Sequence, residues 1–256
     1  MIRRELEYFF GAIRFFTRLP VPGWVGHSAE ALNHSARYFP AVGLVVGGIG
    51  ALVYWLALQL WPQPVAVLLS MAATIYATGA FHEDGLSDTA DGLGGGWDKL
   101  RILDIMKDSR VGSYGVIAMV LALLGKFALL SSLAPALVPC ALLAGHTLSR
   151  FCATTLLATM DYVRDDALSK AKPLATRMSG GALLVALCFA VAPLAALPWC
   201  KALAGVVLAV VATLWLARKF RRWLGGYTGD CLGALQQCTE IAFYLGMAAN
   251  GGLLFT

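Results

Sequence analysis

Charge is scarce in this sequence: only 14% of its 256 residues are Asp, Glu, Lys or Arg, against about 25% in an ordinary soluble domain. With 59% hydrophobic residues and a mean hydropathy of +0.70, a water-soluble fold would have to expose much of its apolar surface, which excludes that class. Cysteine is also sparse. The six present (Cys140, Cys152, Cys188, Cys200, Cys231, Cys238) show no C-x-x-C spacing and sit mostly inside apolar runs. They read as small buried hydrophobes, not as metal ligands or a disulfide framework. Short alternating segments of the β-barrel kind are missing. No long repeat, low-complexity tract or linker divides the chain, which reads as one domain over 1–256. A cleavable secretory signal is not expected either, because Arg14 interrupts the first apolar stretch and no small-residue cleavage site follows before Pro20.

Long apolar runs, by contrast, are abundant. About 20 apolar residues cover a bilayer's hydrocarbon core, and seven stretches qualify: 41–61, 64–81, 114–134, 136–159, 180–198, 202–217 and 238–255. Backbone in lipid must satisfy its own hydrogen bonds, so the spans are helices. The expected fold is an all-α integral membrane protein, a polytopic bundle of about seven transmembrane helices. Basic residues set its orientation. Arg3, Arg4, Arg14, Arg18 and Arg37 fall in 1–40; Lys99, Arg101, Lys107 and Arg110 in 82–112; Arg164, Lys170, Lys172 and Arg177 in 160–178; Arg218, Lys219, Arg221 and Arg222 in 218–230. Seven spans place these four segments on one side, and the opposite connections hold only Lys201. The net charge of +5 is thus an orientation signal, with a cytoplasmic N-terminus and an external C-terminus, and nucleic acid is not an expected partner. Within 1–20, Ile2, Leu6, Phe9, Ile13 and Phe16 recur at helical spacing, the pattern of an amphipathic helix in the membrane interface.

The acids concentrate where the second span ends. His82-Glu83-Asp84-Gly85-Leu86-Ser87-Asp88-Thr89-Ala90-Asp91 packs four carboxylates and a histidine. At about 100° per residue, Asp88 lies roughly 40° and Asp91 roughly 20° from Asp84, on opposite sides. A continuous helix puts all three on one face over about 10 Å. Such neighbours repel unless something positive sits between them, and Mg²⁺, with Mn²⁺ as the alternative, is the matching cation. Asp104 and Asp108 repeat the i, i+4 spacing, and Arg110 beside them suits a phosphate oxygen or pairs with Asp108. A third element, Gly225-Gly226-Tyr227-Thr228-Gly229-Asp230, offers tight turns and close backbone approach to an anion at Gly226, Thr228, Gly229 and Asp230, with Glu240 at the mouth of the last span. Glycines 92, 94, 95 and 96 suggest a loop able to close as a lid. Lys126 and Arg150 fall inside spans, where charge is costly and usually functional. No span is expected to hold an acid near its centre. His27, His34 and His146 read as structural.

These motifs resemble the cobalamin 5′-phosphate synthase family. Phe81-His82-Glu83-Asp84-Gly85-Leu86-Ser87-Asp88-Thr89-Ala90-Asp91-Gly92 is similar to its hallmark, although the family often has leucine at the position of Glu83. Met106-Lys107-Asp108-Ser109-Arg110-Val111-Gly112 and Gly226-Tyr227-Thr228-Gly229-Asp230-Cys231-Leu232-Gly233-Ala234 also match, as do Phe16-Thr17-Arg18-Leu19-Pro20-Val21-Pro22 and Phe39-Pro40-Ala41-Val42-Gly43. The resemblance implies transfer of adenosylcobinamide phosphate from its GDP ester to α-ribazole or its 5′-phosphate, with release of GMP, in the bacterial inner membrane. Splitting a pyrophosphate needs cations and a base. Asp84, Asp88, Asp91 and Asp108 are the expected metal ligands, with Asp104 in support and Glu83 the outlying member; Asp91 or His82 is the candidate base, and Arg110 and Arg150 steady phosphate oxygens. Corrinoid-GDP, ribazole and membrane lipid are the implied partners, and a second copy of the chain or other cobalamin-assembly enzymes are further ones. The competing readings are a CDP-alcohol-type lipid phosphotransferase and an ion-coupled transporter.

Overall fold

The computed structural model describes residues 2–26, 29–164 and 178–249. His27, Lys170, Lys172, Arg177 and the end of the expected last span lie outside the described residues. Those described form α1 (Ile2–Phe16), α2 (Ala29–Ser35), α3 (Phe39–Leu58), α4 (Gln63–Thr78), α5 (Phe81–Gly95), α6 (Lys99–Ile105), α7 (Ser113–Ser132), α8 (Val138–Thr159), α9 (Gly180–Val191), α10 (Trp199–Leu224) and α11 (Gly229–Ala248), with no strand among them beyond one isolated bridge.

Four helical stretches are long and apolar enough to cross a membrane: Ala31–Leu58, Ser113–Ser132, Pro135–Thr159 and Trp199–Leu224. A fifth arises if α4 and α5 count together, although they meet at 87°. The bundle wears its apolar side outward. In α7, Val116, Ile117, Val120, Leu121 and Leu124 are exposed while Lys126 is buried, the arrangement expected when lipid is the solvent. The chain is therefore a multi-pass, all-helical membrane-type protein. Two expected spans differ in form. Gly180–Ala196 is a shorter apolar helix, and the last helix begins at Gly229, nine residues before the expected 238. That earlier start places Glu240 near the middle of α11 rather than at its mouth, in a helix that is not one of those apolar enough to count as a membrane span.

Small residues let the helices approach backbone to backbone, the usual basis of helix association in membranes. A Cβ on Gly43 would run into the α8 backbone at His146, and one on Gly246 into the α10 backbone at Gly205. The decisive crossing for the site is that of α5 over α11, where a Cβ on Gly85 would sit 2.9 Å from the Asp230 carbonyl and 3.2 Å from the Gly233 Cα.

The connections segregate as the charges predict. At one end, Phe16 stacks on His82 at 5.5 Å, the Tyr227 amide donates to Asp161 O at 2.9 Å, and Arg164 reaches both Met106 O and Asp230. At the other, Gln63 Nε2 donates to Leu133 O and Lys201 Nζ to Met247 O. The amphipathic helix at the start forms as expected, but only half of its apolar stripe is covered: Ile13 and Phe16 are buried while Ile2 and Leu6 are exposed.

The sharp turn from α4 into α5 uses consecutive left-handed residues, Gly79 at φ 66° and Ala80 at φ 58°. A non-glycine there is uncommon and strained. Arg18 seats the turn: its amide donates to Ala77 O at 2.8 Å, and its guanidinium fills the space where Gly79 has no side chain.

Candidate active site

The helix through the acidic motif is continuous, so Asp84, Asp88 and Asp91 do share one face of α5. They are graded in depth: Asp84 is exposed, Asp88 half-buried and Asp91 buried. Asp91, expected as ligand or base, is engaged elsewhere. It accepts from the amides of Gly112 at 2.7 Å and Gly115 at 2.8 Å. Since α7 has no cap from its own first residues, Asp91 supplies one from another helix and meets the positive end of the α7 dipole. Gly112 and Gly115 are glycines because a Cβ at either would collide with the Asp91 carboxylate.

The Gly85–Gly233 crossing sets Asp230 beside this face, and Asp230 and Asp84 both repel the Asp88 carboxylate. Burial first, then these neighbours, push the Asp88 carboxyl up to about 6. Burial raises Asp230 as well, opposed by Arg164, whose Nη2 donates to Asp230 Oδ2 at 2.7 Å. Arg164 is the residue that sequence reasoning missed, since it counted only toward orientation. Its single signal was its place just after a span.

Asp104 and Asp108 do not continue a helical face. The short α6 ends at Ile105 and is capped at its start by Asp98, which accepts from the Arg101 amide. Asp104 pairs with Arg101 at 3.0 Å, and Asp108 is gripped by Arg110 at 2.6 Å, which holds the Asp108 carboxyl down at about 2. Arg110 is thus spent on its neighbour in this conformation. The two acids, Asp91, Arg101, Lys107 and Arg110 nevertheless line one open cleft of about 750 Å³, whose lining does not include Asp84 or Asp88.

The glycine-rich run after Asp91 is not a free lid. Gly92 and Gly94 lie within α5, and Cβ atoms there would strike Met106 and Tyr114, while Gly96 packs on Ile102. These glycines permit close packing; their freedom is not used. Gly226 likewise faces protein, with Asp161 O against it, whereas Gly229 has open space around it. Thr228 caps α11 by accepting from the Cys231 amide at 3.2 Å.

Glu83, His82 and Arg150 point the other way. His82 lies about 160° around the helix from Asp84 and is buried against Phe16. Glu83 Oε1 accepts from Gln237 Nε2 at 2.9 Å, and Oε2 is buried without a partner. Behind them, Glu240 pairs with Lys126 at 3.1 Å, accepts from Gln236 at 2.6 Å and from Tyr244 at 3.2 Å, and faces His146. Arg150 Nη1 donates to His146 O at 3.0 Å. This inner network of α5, α7, α8 and α11 does not reach the outer carboxylates. Among the described residues, no three His, Cys, Asp or Glu side chains stand close enough to grip one metal ion.

The described residues thus form a multi-pass helical membrane-type bundle with carboxylates and arginines gathered at one end. Comparison with known proteins identifies the family. A family model described as cobalamin-5-phosphate synthase matches residues 8–248. The chain is 50% identical over 252 residues to the adenosylcobinamide-GDP ribazoletransferase of Shewanella woodyi, covering 96% of each chain. It is 48% identical to that of Vibrio cholerae over 251 residues, covering 96% of this chain and 94% of the relative. No solved structure matches. The chain belongs to the cobalamin-5-phosphate synthase family.

Proposed function

We propose that this protein is an adenosylcobinamide-GDP ribazoletransferase, the enzyme of the final assembly step of cobalamin. Similarity over nearly the whole chain to enzymes of that name supports the reading. In the reaction, a ribose hydroxyl of α-ribazole or its 5′-phosphate attacks the phosphorus carrying the corrinoid side chain. The new P–O bond forms as the pyrophosphate bridge breaks, GMP leaves, and the hydroxyl proton passes to a base. The alternatives, a lipid phosphotransferase or a transporter, gain nothing from these relatives.

The observation that carries the site is the glycine crossing that brings Asp230 against the Asp84–Asp88 face. Asp84, Asp88 and Asp230 are hard oxygen donors in mutual repulsion, a donor chemistry that suits Mg²⁺ or Mn²⁺. In this conformation they do not stand close enough together to grip one ion and would have to draw in around it. Bound there, the ion would polarise the attacked phosphorus and neutralise the departing phosphate. Asp91 and the glycines at 112 and 115 fix α5 to α7. The inner network sets the rotation of α5, so that the same helix presents its acids outward. The seven-span count and the placing of this end in the cytoplasm of the inner membrane are part of the proposal; the segregation of basic segments to that end supports them.

The test is direct. Detergent-purified protein is incubated with adenosylcobinamide-GDP and α-ribazole, and GMP and corrinoid product are measured with Mg²⁺, with Mn²⁺ and with excess chelator. GMP appearing only when both substrates and a divalent ion are present is the expected result. Full turnover in chelator would sink the metal assignment, and no GMP under any condition would sink the activity.

A further inference from the structure

Arg164 is the cation set directly into the outer carboxylate group. The segment that carries it is pinned to the turn before α11. Tyr227 N donates to Asp161 O at 2.9 Å, Val163 N donates to Tyr227 O at 3.0 Å, and the Tyr162 and Tyr227 rings meet at 5.7 Å. Gly226 admits this segment only because it lacks a side chain. The guanidinium is thereby held at the N-terminus of α11, where Nη2 donates to Asp230 Oδ2 at 2.7 Å and to Met106 O at 3.3 Å. Its Nε is buried with no partner. A buried donor left unmade costs about 1–3 kcal/mol, so this pose satisfies the charge of Arg164 but leaves its Nε donor unmade. Arg110, the phosphate contact expected from sequence, has an 87% exposed side chain and is forked onto Asp108.

We infer that Arg164 binds a phosphate oxygen of the nucleotide-activated substrate and that Asp230 is its counter-ion only while the site is empty of substrate. A planar guanidinium presents donors in a fork that matches phosphate oxygens, and such charge-assisted bonds are about twice as strong as neutral ones. In the transfer, negative charge moves onto the bridging oxygen as the pyrophosphate P–O bond breaks and GMP departs. A guanidinium beside that oxygen stabilises the charge as it develops. The inference rests on the ribazoletransferase reading above and adds a residue to it.

The test compares wild type with Arg164→Met and Arg164→Lys, reading kcat, KM for adenosylcobinamide-GDP, the inhibition constant of GMP and the thermal midpoint in detergent. Loss of one electrostatic stabiliser predicts that Arg164→Met lowers kcat/KM by about 10²- to 10³-fold. It also raises the GMP inhibition constant by about tenfold or more. Arg164→Lys, which keeps charge against Asp230 but not the fork, should still lose at least about tenfold in kcat/KM. If Arg164→Met does not fold, Arg164→Lys alone carries the test by the same criteria. Turnover within threefold of wild type overturns the inference, and so does lost turnover with an unchanged GMP constant, which would mean that Arg164 only braces α11. A wild type that releases no GMP instead overturns the ribazoletransferase reading itself, so the two failures are separable.

Discussion

Replacing Asp88 with asparagine should make the metal-free protein more stable while nearly abolishing turnover. The side chain keeps its size and loses its charge. In the folded protein, burial and the neighbouring Asp230 and Asp84 raise the carboxyl from 3.8 to about 6. About two pKa units correspond to at most roughly 3 kcal/mol, and solvent reaching this half-buried group reduces the figure to on the order of 1–2 kcal/mol. The sign follows from proton linkage. A folded state that binds the proton more tightly than the unfolded chain loses stability as pH rises from about 4 to about 6, and the loss is complete above that. At pH 7.5 in chelator, Asp88→Asn removes this penalty and should raise the thermal midpoint by about 2–8 °C, at roughly 2–4 °C per kcal/mol for a chain near this size. At pH 4 the two proteins should melt together. GMP release with Mg²⁺ should fall by about 10²- to 10³-fold. A variant that melts below wild type at pH 7.5 without metal, or that turns over within a few-fold of wild type, would refute the reasoning.

The crossing of α5 and α11 can be probed with Gly85→Ala, whose new methyl meets backbone 2.9 Å away. Overpacking should cost about 1–3 kcal/mol, and the displaced Asp230 should cost turnover about 10²-fold; unchanged turnover would deny the crossing its role. In the inner network, Lys126→Met leaves Glu240 buried without its partner and should destabilise by about 3–5 kcal/mol. Pairing it with Glu240→Gln should recover part of that loss, and a neutral single variant would mean that the pair is not formed. Orientation is read by impermeant thiol labelling in intact cells of cysteines placed at the exposed Trp97 and Trp199. The cytoplasmic placing expects protection at Trp97 and labelling at Trp199, and the reverse result would turn the site outward.

Much of this arrangement was legible in the sequence because its causes are local. Apolar runs give helices, charge asymmetry gives the two ends, and helical spacing puts Asp84, Asp88 and Asp91 on one face. What escaped depends on contacts between distant segments. Nothing in the spacing of Asp91 says that Gly112 and Gly115, more than twenty residues later, will claim both of its oxygens. The glycines at 92, 94 and 96 look identical in sequence whether they loosen a loop or admit Met106, Tyr114 and Ile102. Asp104 and Asp108 have ideal spacing for a helix that stops too soon to use it. The start of α11 was misplaced because polarity stood for the membrane boundary, and a helix shielded by its neighbours can carry Gln236, Gln237 and Glu240 within its length.

That buried polarity bears on the competing functions. Intramembrane charges usually mark a transport path or a reaction centre, and Lys126, Arg150, Glu83 and Glu240 are all buried. Yet the contacts between them close upon themselves. Glu240 is satisfied by Lys126, Gln236 and Tyr244, Gln236 also donates to Ser149, and Gln237 joins Gln236 to Glu83 on α5. Two cavities along the network measure about 10 Å³ each, room for about one water apiece. Two cations and two carboxylates buried together need no external charge to balance them. Their effect is mechanical: each bond ties α5 to α7, α8 or α11. A helix carrying four carboxylates would otherwise turn all of them toward water, and with Glu83 held inside, Asp84 and Asp88 must face out, where Asp230 and Arg164 meet them.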